Sequence, residues 1–198
     1  MSEAAVVQPS NEPVWILPAR ARVGVISLIV AECAIFTIFV VAYLFYIGKS
    51  LSGPKPKDVL ELPIFNTICL LSSSLTIHLA IKSLNKAKNI SFAFWWFITM
   101  ALGVIFLVGT AREWYRLIYE HGLTITTNLF GTTFYSLVGL HAFHVTVGLI
   151  VIGIIMIFTV FGKVDMQYSK RIDAFSSYWH FVDAVWVVVF TVVYVIGR

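Results

Sequence analysis

Five long apolar runs, each bounded by charge, glycine or proline, constrain this 198-residue chain more than any other feature. They cover about 23–47, 64–81, 92–117, 129–161 and 175–197. A helix needs about 20 apolar residues to cross ~30 Å of hydrocarbon. Four runs exceed that length, the second is just sufficient, and the fourth is long enough to tilt or to project beyond the bilayer. Period-two alternation is absent and the runs outlast any barrel strand, so a transmembrane β-barrel is excluded. Only 12% of residues are charged and 59% are apolar, whereas a soluble domain averages about 25% charged. Disorder, coiled coil and a disulfide scaffold are excluded by the same composition. The sequence therefore predicts an all-α, polytopic membrane protein, a bundle of five transmembrane helices occupying 23–198.

The segments outside the runs say less. Residues 1–22 are polar, bear prolines and have no Lys or Arg before Arg20, unlike a secretory signal, and read as an exposed N-terminal arm. The linker after the first run holds Pro54, Pro56 and Pro63, which bias it away from helix. Five crossings place the termini on opposite sides. With the N-terminus in the cytoplasm, the inner segments carry eight basic residues (Arg20, Arg22, Lys82, Lys86, Lys88, Lys163, Lys170, Arg171). The outer ones then carry six (Lys49, Lys55, Lys57, Arg112, Arg116, Arg198). The excess favours a cytoplasmic N-terminus and a periplasmic C-terminus. Cys33 and Cys69 are far apart and form no CxxC pair, so no zinc or redox motif arises from them. The net charge of +4 resides in loops, which gives nucleic acid binding no support.

Ionisable groups inside a spanning helix are costly and need a reason. Glu32 lies near the middle of the first run, with Phe36, Phe39, Tyr43 and Tyr46 on the same side of the helix, so that face turns toward protein. Two readings fit it: a protonated, hydrogen-bonded structural acid, or a group tied to proton handling. His141 and His144 stand at i, i+3 in the fourth run, with Gly148 one turn further. Two such histidines can ligate a metal or haem, but no Cys, Met, Asp or Glu nearby completes a sphere, and interhelical hydrogen bonding is the simpler reading. In the fifth run Ser176, His180, Asp183, Thr191 and Tyr194 form a narrow polar stripe, a helix-packing seam in which His180 and Asp183 are close enough to pair. Ser72, Ser73, Ser74 and Thr76 are small enough to let helices approach closely. There is no nucleophile–base arrangement and no phosphate loop. A complex subunit, a small proton-coupled transporter and a cytochrome all remain open on these residues alone.

Several of these segments also resemble a known family. Phe134–Leu149, FYSLVGLHAFHVTVGL, is similar to the F-x-x-x-G-x-H-x-x-H-V-x-x-G segment of haem-copper oxidase subunit III, and WHFVDAVW at Trp179–Trp186 to that family's W-H-F-x-D-x-x-W. Glu32 falls on the family's intramembrane glutamate, Asn66-Thr67 with Leu70–Ser73 on N-T-x-x-L-L-x-S, and Glu113-Trp114 on its E-W. The pattern departs at Thr110, where a Gln is frequent, and at Leu79–Lys82, where aromatic-Ala-His-His is frequent. The resemblance extends from about 23 to 197 and fits the bacterial five-helix form. It implies a subunit of a proton-pumping oxidase of aerobic respiration in the bacterial inner membrane, this chain carrying no redox centre of its own. Haems and copper are then expected in subunits I and II, with a small subunit IV also a candidate partner. The subunit is expected to pack on subunit I, bind phospholipid and support proton uptake, Glu32 being the residue implicated. His141, His144, His180, Asp183 and Glu113 would form a structural polar network. Glu rather than Asp at position 32 favours cytochrome c over quinol as the electron donor to the complex. The related accessory protein of nitric oxide reductase is the nearest alternative.

Overall fold

The computed structural model describes residues 20–50 and 52–198. The proposed N-terminal arm thus lies outside the described residues except for its last three, which already belong to the first helix. The elements are α1 (Arg20–Tyr46), a single turn α2 (Pro56–Val59), α3 (Ile64–Leu84), α4 (Asn89–Tyr119), α5 (Leu129–Val160) and α6 (Ser169–Phe190). A 3-10 turn at Met166–Tyr168 precedes α6, and a π-helical turn at Thr191–Ile196 continues it. No strand occurs among the described residues. Five of the helices are long and apolar enough to cross a membrane, and the protein is a multi-pass membrane protein.

Helix ends differ from the apolar runs in an instructive way. α4 begins three residues before its run, and α6 starts at Ser169 rather than near Phe175. Apolarity marks the part of a helix that sits in hydrocarbon, whereas hydrogen bonding carries the helix on through the polar interface. Lys170, Arg171 and Asp173 therefore extend α6 without appearing in any hydropathy pattern. The proline-rich linker does contain one helical turn, because Pro56 occupies the first helical position, where its missing N–H is not needed. Two residues past the end of α5, Gly162 has a φ of 67° and supplies the left-handed residue that closes a helix.

The spans close into a ring in the order α1, α5, α4, α3, α6, and α5 and α6 also touch across it. α3 and α4 make the most extensive pairing. α1 is the peripheral member: only Phe36 and Tyr43 are buried among its described side chains. Trp179 of α6 is the central packing element. A Cβ on Gly148 of α5 would come within 2.7 Å of its indole, and one on Gly103 of α4 within 3.2 Å. Its Nε1 donates to Ser73 Oγ of α3 at 2.8 Å. One side chain thus ties α6 to three neighbours, and the two glycines exist to admit it. At the end bearing the starts of α1 and α6, Arg22 reaches Asp173 at 3.7 Å with both side chains largely exposed, a geometry that contributes little to stability.

Candidate functional site

Glu32 projects from α1 toward α5, where its Oε2 lies 3.0 Å from Nε2 of His144. The approach is off the hydrogen-bond axis, so this buried oxygen has no aligned donor. Nδ1 of His144 lies 2.7 Å from the carbonyl of Leu140 one turn back. A carbonyl only accepts, so Nδ1 carries a proton. The remaining proton of the pair then has two homes: Glu32, as acid beside neutral imidazole, or Nε2, as imidazolium beside carboxylate. Phe36 covers the pair, its ring 5.0 Å from that of His144, and Tyr178 Oη donates to the His144 carbonyl at 3.3 Å. Most exposed side chains of α1 around it are apolar, Ser27 and Thr37 being exceptions, and the Glu32 carboxyl is 18% exposed.

His141, one turn before, makes no hydrogen bond through either ring nitrogen and is wholly buried. Its ring lies 5.0 Å from Trp186 at a shallow angle, and edge-on to Phe106 at 5.7 Å. Neither ring therefore makes the expected interhelical hydrogen bond: His144 bonds within its own helix and meets Glu32 off axis. His141 acts as an aromatic packing group. The two rings are engaged with different neighbours, one with Leu140 and Glu32, the other stacked among aromatics, so the i, i+3 spacing does not present them jointly to a ligand.

The stripe on α6 meets α3. His180 Nδ1 lies 2.9 Å from Ser74 Oγ, and the same hydroxyl donates to Asp183 Oδ2. His180 and Asp183 do not pair directly, as their spacing suggested; both converge on Ser74. With its one hydrogen directed to Asp183, Ser74 accepts from His180, which places a proton on that Nδ1. Trp186 Nε1 donates to Thr67 Oγ1 at 3.1 Å, one more hydroxyl of α3 holding α6. Ser176 is buried and bonded to its own helix through the Asp173 carbonyl at 2.7 Å. Thr191 is exposed and bonds back to Val187, so it leaves the seam.

Glu113 of α4 sits apart from both clusters. Tyr194 Oη, at the π-helical end of α6, lies 3.0 Å from each of its carboxylate oxygens. Glu113 borders an open cleft of about 490 Å³ whose lining includes Asn66, Arg112 and Arg116, and Arg116 reaches Glu61 at 2.9 Å. Asn66 is pressed onto Gly109, where a Cβ would meet its amide at 2.1 Å. The predicted polar residues thus form three separate clusters rather than one network. Sequence reasoning named Ser74 only as a small residue and did not connect Tyr194 with Glu113. The signal for the first was a serine run at mid-helix, level with the only mid-helix aspartate of a neighbour.

Chemically, these clusters hold and orient protons and join helices. None sets a nucleophile against a base. A profile of the family described as Cytochrome c oxidase subunit III matches residues 16–198. The chain is 39% identical to Cytochrome c oxidase subunit 3 of Synechocystis sp. over 90% of its own length and 77% of the relative's. It is 34% identical to the protein of that name from Alkalihalophilus pseudofirmus, over 84% and 82% of the two chains. With Cytochrome bo(3) ubiquinol oxidase subunit 3 of Pseudomonas aeruginosa the identity is 33% over 85% and 81%. The ordered motifs, the five spans and these matches agree, and the chain belongs to the cytochrome c oxidase subunit III family.

Proposed function

We propose that this chain is the non-catalytic third subunit of a proton-pumping cytochrome c oxidase, packed on subunit I. In this reading it binds phospholipid and supports proton uptake and the durability of an active site held by other subunits. Haems and copper belong to subunits I and II, cytochrome c is the donor, and the N-terminus faces the cytoplasm. The observation that carries the proton role is the contact of Glu32 with His144. An acid within a spanning helix, with an imidazole 3.0 Å away, sets side by side two groups that can each carry a proton, and so two positions for it. Structural polar residues, such as the α3–α6 hydroxyl bonds, need no such second position.

The test is isolation of the intact complex by a tag on the N-terminal arm, followed by identification of attached chains, their haems and their donor. Haem-bearing chains that oxidise reduced cytochrome c are expected. Oxidation of quinol instead, the activity in the printed name of the Pseudomonas relative, would move the chain to a quinol oxidase. Recovery of a c-type nitric oxide reductase partner, or of no haem protein, would reject the oxidase reading.

A further inference from the structure

Where α1 ends and α5 begins, a cavity of about 300 Å³ opens between the two helices, the proline-bearing linker and the end of the π-helical turn. Its lining includes three cations, Lys55, Lys57 and Arg198, and no Asp or Glu. None of the three is ion-paired among the described residues. Glu61, further along the linker, is held by Arg116 instead. Helix ends do not cancel this charge, since two C-terminal ends and one N-terminal end together amount to about half a negative charge. The lining also includes Tyr43, only 1% exposed, whose hydroxyl has no hydrogen-bond partner among the described residues. That hydroxyl lies against Gly197, another lining residue, where a Cβ would come within 2.6 Å of it. Ser50 accepts the Phe130 N–H at 3.1 Å, which leaves its own proton to give. A buried hydroxyl without a partner is costly, and cations that merely reach for the membrane surface do not require one.

We propose that this cavity binds a phosphate group, with Lys55, Lys57 and Arg198 balancing its charge and Tyr43 and Ser50 donating to its oxygens. Five donor groups around one cavity call for an acceptor with more than the two oxygens of a carboxylate. Two sources carry this chemistry, the headgroup of an anionic phospholipid and free phosphate. The exposed Ile196, also in the lining, offers the glycerol and chains of a lipid an apolar border. The headgroup source rests on the phospholipid role proposed above.

Acylation of lysines by a membrane-impermeant ester, read by mass spectrometry on the intact complex in phosphatidylcholine nanodiscs, tests this. Adding phosphatidylglycerol to the discs, or inorganic phosphate to the buffer, should slow modification of Lys55 and Lys57. Lys49, at the same end but with its Nζ 3.4 Å from the Phe45 ring centre and outside the cavity lining, should react as before. Slowing by phosphatidylglycerol alone assigns the site to a headgroup, and slowing by inorganic phosphate assigns it to free phosphate. Slowing in neither arm, or equal slowing at Lys49, overturns the proposal. Tyr43→Phe breaks no hydrogen bond within the described residues and should assemble as the parent does. It should raise the half-protecting amount of ligand about fivefold, the scale of one hydrogen bond. An unchanged amount also overturns the proposal. A complex without a haem-bearing chain would reject the oxidase reading and leave this result standing.

Discussion

At Glu32 and Asp183, two carboxyls within spanning helices differ in burial and in kind of partner, and the difference decides what each substitution should do. Glu32 faces an imidazole that can itself take the proton, whereas Asp183 faces the hydroxyl of Ser74, which cannot. Glu32→Ala should leave the haem spectrum of the complex unchanged, with slower proton uptake or faster inactivation during turnover. The cost to assembly should be near ~0.6 kcal/mol, the average for interhelical bonds in membranes, because the carboxyl is partly exposed and its contact poorly aligned. A lost haem band in the Glu32→Ala complex would contradict a non-catalytic role. Asp183→Ala should be the more damaging for assembly, by about 1–3 kcal/mol, because it removes the acceptor of the part-buried Ser74 hydroxyl. The larger penalty of ~3–5 kcal/mol for a broken buried ion pair does not apply, since His180 bonds to Ser74 and not to the aspartate. His180→Gln, which keeps a donor, should assemble better than Asp183→Ala. Gel separation of the complexes, with oxygen uptake of whatever forms, measures both. Normal assembly of Asp183→Ala with no oxygen reduction would make this cluster functional rather than structural.

Helices α5 and α6 meet where a glycine admits an indole, and that contact is sensitive to a single methyl group. Gly148→Ala places a Cβ 2.7 Å from Trp179, so the indole, held also by Ser73 and lying against Gly103, must give way. Overpacking of this kind costs about 1–3 kcal/mol and should lower the thermal midpoint of the assembled subunit. Gly153→Ala, five residues along the same helix, has nothing within 4 Å of the new atom and should leave that midpoint in place. Equal effects at the two sites would remove Trp179 from the centre of the packing. The five helices were legible in the sequence because each must span hydrocarbon with apolar residues, a constraint that length alone exposes. Their pairing was not. Nothing in the spacing of Ser73 and Ser74 shows that one meets Trp179 and the other meets His180 and Asp183. Those contacts depend on the ring order of the helices, a long-range property. His141 and His144 illustrate the same limit: identical spacing and neighbouring turns, yet one is committed to Glu32 and the other to stacking on Trp186. Thr191, placed in the polar stripe by its position on the wheel, faces outward on the flank where Val187 and Val188, one turn earlier, are already exposed.

Across the whole molecule, the ends of the bundle differ in charge, and this gives the orientation a physical test. One end gathers the start of α1, the α3–α4 turn and the α5–α6 connection, with Arg22, Lys82, Lys86, Lys88, Lys163, Lys170 and Arg171 among its described residues. The other end holds Lys49, Lys55, Lys57, Arg112, Arg116 and Arg198. Acids partly offset the second set, since Glu61 holds Arg116 at 2.9 Å, but orientation follows Lys and Arg rather than net charge. The margin is therefore small, and the end with more cations should remain in the cytoplasm. A cysteine at Lys86, exposed in the α3–α4 turn, should react with a membrane-impermeant maleimide in inside-out vesicles and not in right-side-out ones. A cysteine at Lys57, exposed in the α1–α3 linker, should show the opposite pattern. Cys33 and Cys69 lie within spanning helices, so the impermeant reagent should leave both unlabelled in either preparation. Because the excess is slight, Lys86→Glu with Lys88→Glu removes it, from eight against six to six against six counted cations, and should yield mixed orientation. Labelling of Lys57→Cys from the cytoplasmic side in the unaltered background would invert the topology, and would place the cleft beside Glu113 on the cytoplasmic side.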